Sequence, residues 1–221
     1  MIERISEMDT IRRIDDVRGF GSRSSDAAPL SIVRRTVVYR DDGRADYTVE
    51  RVDAKNTLTG DDVQFHVASV KQGHPGAVCV AFAKGQEGLD RILLGRHWRV
   101  AVSSWQWEFP RGMGEADEDA RSTAVRELSE ETGIVLSVTC ARVVQTIHAD
   151  TGMLHDEVGV VALDCDCEDM PRQTHDYELS ELYWVSVPVF EQMIGAGMIQ
   201  DGLTLAAWTV VRAHGIISRR L

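Results

Sequence analysis

The chain has 221 residues, which suits one ordinary domain with a full apolar core plus an extension and would crowd two independent cores. Hydrophobic residues make up 43% and charged residues 27%, near the globular average and far from the disordered class. A net charge of −11 argues against a nucleic-acid surface, because phosphate backbones select for clusters of Lys and Arg.

Residues 1–30 are polar and form an N-terminal extension in which Ser22 to Pro29 read as a linker. Glu3, Arg4, Glu7, Asp9 and Arg12 break up its apolar residues, so it lacks the continuous apolar run of a secretory signal. Ile2, Ile5, Met8, Ile11, Ile14 and Val17 recur every third residue, which drifts around a helix and predicts at most a short one. The longest apolar runs, 77–83 and 158–163, are far shorter than the roughly 20 residues of a membrane helix. No membrane partner is expected, and the cytoplasm is the expected location.

From Ser31 the pattern turns to β. Ile32 to Tyr39 and Ala45 to Val52 flank Asp41-Asp42-Gly43 as a hairpin, and Val63 to Val70 adds a strand, so residues 31–72 read as an antiparallel β region. Such a region leaves an unpaired edge and is the expected place for a homodimer contact. Residues 73–221 read as the main domain. Ala77 to Phe82 and Arg91 to Leu94 predict a core strand pair joined by the turn-prone stretch 84–88. Residues 105–114 read as a tight exposed loop, held by Pro110, Gly112 and Gly114. The spacing predicts a helix over Asp117 to Thr132, with acids in its first turn and Gly133 as a left-handed cap. Val138 to Ile147, Val158 to Leu163 and Glu181 to Val187 read as strands, and Val189 to Ala196 and Leu203 to Ala213 as closing helices. The fold class is α/β, with strands on both sides of one central helix.

Cys79 and Cys140 lie in strand-like runs, and Cys165-Asp166-Cys167 lacks the spacer and second pair of a zinc knuckle, so plain reduced thiols are expected. Acids are concentrated in two places. Between Asp164 and Glu181 they lack helical or metal-loop spacing and read as a solvated loop. Between Gly112 and Gly133 they are Glu115, Asp117, Glu118, Asp119, Glu127, Glu130 and Glu131, against Arg121 and Arg126.

At about 100° per residue, Glu127, Glu130 and Glu131 share one helix face. Three like charges so placed repel each other, and Ser122, Thr123 and Gly133 bring no cation to relieve them. A bare solvated face is one reading. An oxygen-only set on a rigid helix that holds a hard divalent cation, Mg²⁺ or Mn²⁺, is the other, and the preceding glycine loop can add a backbone carbonyl.

Gly112, five residues, Glu118, seven residues, Arg126-Glu127-Leu128, one residue, Glu130-Glu131, one residue, Gly133-Ile134 match the Nudix box at every defined position. The chain therefore resembles the Nudix hydrolase superfamily. Residues 73–78, 93–100, 107–112 and 199–207 are similar to its ADP-ribose pyrophosphatase branch. Where that branch carries Ser-Pro-Gly after the box, this chain has His148-Ala149-Asp150-Thr151-Gly152.

The resemblance implies an α/β/α sandwich with a mixed sheet. It also implies Mg²⁺-dependent cleavage of the diphosphate in a nucleoside diphosphate derivative, ADP-ribose or a related ADP-sugar. Metal ligation falls to Glu127, Glu130 and Glu131 with the Gly112 carbonyl, and Arg126 becomes a clamp on Glu118 or Glu127. Glu157 is the candidate proton acceptor or a further metal ligand. Arg99 is implied at the diphosphate, Arg111 joins it as a substrate-binding candidate, and Trp105 or Trp107 offers a face for a base. Nucleotide sugars, nucleoside triphosphates and a non-catalytic nucleotide-sensing role are the alternatives.

Overall fold

The computed structural model describes residues 27–43, 45–84, 90–165 and 178–217. The expected N-terminal helix, Cys167, the turn after Lys84 and most of the second acidic stretch lie outside these residues. Three strands, β1 (Leu30–Asp41), β2 (Tyr47–Asn56) and β3 (Asp62–Ser69), form an antiparallel sheet in that order. β2 runs beyond the expected Val52 because Asn56 closes the next turn, its Oδ1 accepting from Leu58 N at 2.9 Å and Thr59 N at 3.1 Å.

The second sheet holds β4 (Gly76–Lys84), β5 (Asp90–Arg99), β6 (Ser104–Glu108), β7 (Arg111–Gly112), β8 (Ala141–Ile147), β9 (Val158–Cys165) and β10 (Leu179–Ser186). Its main order is β10-β5-β4-β9-β8, with β6 on β5 and β7 on β4. β4 and β9 run parallel and the other pairs antiparallel, so the sheet is mixed. Three helices cover it, α1 (Ala120–Thr132), α2 (Val187–Gly195) and α3 (Gly202–Ala213).

Period-two alternation sorts the core. Val78 and Val80 of β4 and Val158 and Val160 of β9 face α2 and α3, packing with Phe109, Phe190, Trp208 and Val211. Ala77, Cys79 and Ala81 of β4 point the other way and meet Ala124 and Leu128 of α1. Their small size lets α1 lie close to the sheet, close enough for the Cys79 thiol to bond Ala124 O at 3.3 Å. The result is the expected α/β/α sandwich.

Three local expectations change. The stretch 104–108 is strand β6, not loop; its aromatic alternation of Trp105 and Trp107 is a strand pattern that the following Pro and Gly residues mask. Val138–Cys140 is a 3-10 turn, opened by the Ser137 side chain, before β8 begins. Finally α1 starts at Ala120. Asp119 is its N-cap, accepting from Ser122 N at 2.8 Å, while Asp117 has φ of 70° in the turn before it. At the other end Gly133, at φ of 71°, caps the helix as expected.

The two sheets are joined by contacts across their ends. Lys71, Gln72 and Gly73 adopt φ of 48°, 57° and 79°, an unfavourable run for the two non-glycine residues. Local bonds offset this: Lys71 N donates to Ala45 O at 3.1 Å and Gln72 Nε2 to Asp46 Oδ2 at 2.9 Å. Lys71 Nζ then reaches Glu115 Oε1 at 3.0 Å.

Candidate active site

The segment from β7 to α1 is folded around one guanidinium. Arg126 Nε donates to Glu118 Oε1 at 2.9 Å and its Nη2 to Glu118 Oε2 at 3.0 Å and to Met113 O at 2.9 Å. Its Nη1 reaches Glu127 Oε1 at 2.9 Å and Glu130 Oε2 at 3.1 Å. The expected clamp is therefore wider than Glu118 or Glu127 alone, and it supplies the relieving cation that the sequence reading did not find. Glu118 also accepts from Glu115 N and Thr123 Oγ1 at 3.0 and 3.2 Å. The Arg126 bonds, against a smaller opposing effect of burial, hold the Glu118 carboxyl down at about 2.

Glu127 behaves oppositely. Burial pushes its pKa up, outweighing Arg126, and the charges of Glu130 and Glu118 add to the rise. Its carboxylate lies on Gly112, where an ideal Cβ would stand 2.0 Å from the Glu127 Oε1. Only glycine fits there, which brings the backbone at Gly112 against this carboxylate. Glu131 faces β5, its Oε2 lying 3.9 Å from His97 Nε2.

Among the described residues no three His, Cys, Asp or Glu side chains stand together as a ready-made metal cage. Glu127 and Glu130 are turned to Arg126 and Glu131 to the sheet. The donor chemistry still fits a hard divalent cation: three carboxylates from one helix face and a backbone in contact with one of them, with Arg126 offsetting the charge of Glu127 and Glu130.

Beside this cluster a cleft of about 580 Å³ opens at the ends of β5 and β6. Arg99, Gln106, Glu108, Arg111 and Asp201 line it. Glu108 is fully buried and serves two arginines. Arg99 Nε donates to both its oxygens at 2.9 and 3.0 Å, and Arg111 Nε to Oε2 at 3.2 Å. Burial opposes the Glu108 charge, but these partners outweigh it and keep the pKa below the usual carboxylate range. Arg111 also pairs with Asp201, the N-cap of α3, at 3.4 Å. Two of the predicted substrate-binding residues thus meet in one cleft.

The two tryptophans do not join them. Gln106 and Glu108 line the cleft, and alternation sends Trp105 and Trp107 to the opposite face of β6. Trp107 packs on the cluster beneath α2 and α3, and Trp105 stacks edge-on with Trp98 at 5.5 Å beneath the Arg96 guanidinium.

Glu157 immediately precedes β9. Its carbonyl accepts from Gly76 N at 2.9 Å, and β4 pairs Val158 on one side and Gly112, opposite Ala77, on the other. Two strand spacings, about 10 Å, therefore separate the backbones of Glu157 and Gly112. The Glu157 side chain is exposed at that same end of the sheet.

Two groups at the site escaped the sequence reading, Glu108 and His97. Glu108 shares the polar phase of the Trp105–Trp107 alternation with Gln106, a pattern that reads as a solvated strand face until the partners Arg99 and Arg111 are seen. His97 had no signal in the sequence.

Comparison with known proteins agrees with the box. The NUDIX domain family profile matches residues 73–201. The chain is 30% identical over 135 residues to an ADP-ribose pyrophosphatase of Saccharomyces cerevisiae, spanning 58% of this chain and 56% of that protein. It is 35% identical over 74 residues to a CMP-5'-(N-acetyl-N-hydroxy-3-aminopropyl)phosphonate hydrolase of Streptomyces rubellomurinus, spanning 34% of this chain and 32% of that one. The chain thus spans only a third to a little over half the length of these relatives. In fold it is similar to a crystal structure of an ADP compounds hydrolase, with a TM-score of 0.67 at 14% identity over 89% of this chain and 99% of that one.

The clamp predicts a pH signature. Glu118 has a folded-state pKa of about 2 against an ordinary 4.5, so its ionised form stabilises the fold above pH 4.5 and that contribution is lost as pH falls toward 2. Wild type should exceed Glu118→Gln in unfolding free energy at neutral pH, with the gap closing across this window in metal-free urea titrations. A constant gap from pH 6 down to about 2 would show that the Arg126 contact does not perturb Glu118.

Proposed function

The chain belongs to the NUDIX domain family and is a Nudix hydrolase, and from that premise we propose that it cleaves the diphosphate bond of a nucleoside diphosphate linked to a second group, ADP-ribose or a related ADP-sugar. The observation that carries the reading is the meeting of Glu127 with Gly112, next to the clamped carboxylates of α1 and beside a cleft lined by Arg99 and Arg111.

Glu127, Glu130 and Glu131, with the Gly112 carbonyl, are the residues that would hold Mg²⁺, or Mn²⁺ in its place. The ion supplies charge neutralisation on the diphosphate and makes a nearby water easier to deprotonate. Arg126 keeps the acids on one side of the loop and restrains their repulsion. Arg99 and Arg111, fixed by Glu108, present guanidinium edges to the cleft and orient the diphosphate. Glu157 takes the proton from the attacking water; its anchored backbone and exposed side chain support that role. Residues 1–30 are an extension, 31–72 the dimerising β region and 73–221 the hydrolase domain.

The homodimer reading rests on β1. Ile32, Val33, Val37 and Val38 of this edge strand are about half exposed or more, as is Tyr39. A second copy that covers them removes both apolar surface and an open edge from water. None of the helices described is long and apolar enough to cross a membrane, and a small nucleotide is the proposed partner.

A panel of ADP-ribose, other nucleotide sugars, a CMP-linked phosphonate, dinucleoside polyphosphates and triphosphates with Mg²⁺ tests the function, read as phosphate released after phosphatase coupling. The expected result is the highest kcat/KM on an ADP-sugar, abolished by EDTA. Preference for triphosphates, or hydrolysis of none, would overturn it.

On the preferred substrate, Glu157→Gln should lower turnover by roughly 10² to 10⁴ with substrate affinity unchanged. Recovery at high Mg²⁺ would mark it instead as a metal ligand, and a wild-type rate would remove it from the mechanism. Light scattering at micromolar concentration should give a dimer mass, and Val37→Asp should shift it to the monomer; a monomeric wild type would refute the interface.

A further inference from the structure

We infer that His97 is a positioning residue for Glu131, holding the last carboxylate of α1 against β5 in the orientation from which it binds the metal. The inference rests on the reading of Glu131 as a metal ligand. Two observations carry it. The first is the direction of Glu131, which faces β5, while Arg126 engages Glu118, Glu127 and Glu130. The Glu131 Oε2 lies 3.9 Å from His97 Nε2, with both side chains largely enclosed at 12% and 2% exposure. That spacing is longer than a hydrogen bond and within the range of a charge contact.

The second observation is the seat of the imidazole. Gly95, His97 and Arg99 occupy alternate positions of β5, on the side where Leu93 meets α1. At Gly95 an ideal Cβ would stand 2.7 Å from His97 Nε2 and 2.9 Å from Leu179 Cδ1. The ring therefore fills the slot that the missing side chain leaves and is wedged there by Leu179. Of the ring positions open to a β5 histidine, this one directs Nε2 at α1. The groups around it are Glu131 from α1 and Glu108 from β6, the latter opposite Gly95 in the strand pairing. Ligating carboxylates are themselves oriented by such outer contacts, whose loss costs roughly 10- to 100-fold in metal affinity or activity.

The test is Mn²⁺ binding to the full chain without substrate, read from the loss of the free-ion paramagnetic resonance signal. His97→Phe keeps a ring in the slot and removes the N–H, and should weaken Mn²⁺ binding by about tenfold. His97→Gln returns an N–H donor and should recover most of that loss, which a purely packing role would not predict. Glu131→Gln serves as the reference and should weaken binding at least as much. Unchanged affinity in His97→Phe with weakened affinity in Glu131→Gln overturns the role of His97 alone. Unchanged affinity in both overturns the assignment of Glu131 as a ligand, and with it the inference. If His97→Phe does not fold, Gly95→Ala reads the same contact by pushing the ring from its slot. Weaker Mn²⁺ binding in Gly95→Ala with an unaltered circular dichroism spectrum supports the inference, and wild-type affinity overturns it.

Discussion

One guanidinium decides the shape of the catalytic segment. Arg126 binds three carboxylates and the Met113 carbonyl, so the helix that carries it and the loop that precedes the helix become one unit. The repulsion between Glu118, Glu127 and Glu130 is offset locally by this one side chain. The same contact limits the acids as ligands, because two of the three candidates are engaged by Arg126. Glu127 is raised in pKa by burial, and Gly112 lets the backbone approach it.

The sheet beneath repeats this division of labour. Small residues of β4 face α1 and large apolar ones face α2 and α3. The thin side brings the helix of acids close to the strands, and this closeness allows His97 of β5 to reach Glu131. The thick side supplies most of the apolar core, with Phe190 packed between Phe109 and Trp208 at ring separations of 5.5 and 4.9 Å. Phe109, next to the buried Glu108, belongs to this core and donates its N–H to Thr204 of α3 at 3.1 Å, so the core borders the polar cleft.

Much of this could be read from the chain. The box residues gave the helix, its glycine cap and the set of acids, because 3.6-residue periodicity and fixed spacing are local properties. Strand alternation gave the core strands and the α/β class. What escaped was set by pairing between distant strands. Trp105 and Trp107 look like binding residues in a loop, and only the ladder of β6 on β5 reveals that they face away from Glu108. The wider reach of Arg126 escaped because the approach of Glu127 and Glu130 to one side chain is a matter of rotamers. His97 is one histidine among seven until Gly95 and Glu131 are seen beside it.

The N-terminal sheet also belongs to the site in a way that its sequence does not announce. Asp156, a buried carboxylate, accepts from Val70 N at 3.1 Å, and Ala68 of β3 exchanges backbone bonds with Met153 and His155 on the same loop. The next residue, Glu157, is fixed by Gly76 at the start of β4. Consecutive residues of one loop are thus fastened to different sheets. The backbone on both sides of Glu157 is hydrogen-bonded, and its side chain is exposed. Lys71 adds a second tie, from the left-handed turn after β3 to Glu115 in the catalytic segment. The turn after β3 is thus tied both to the loop of Glu157 and to the segment around Arg126.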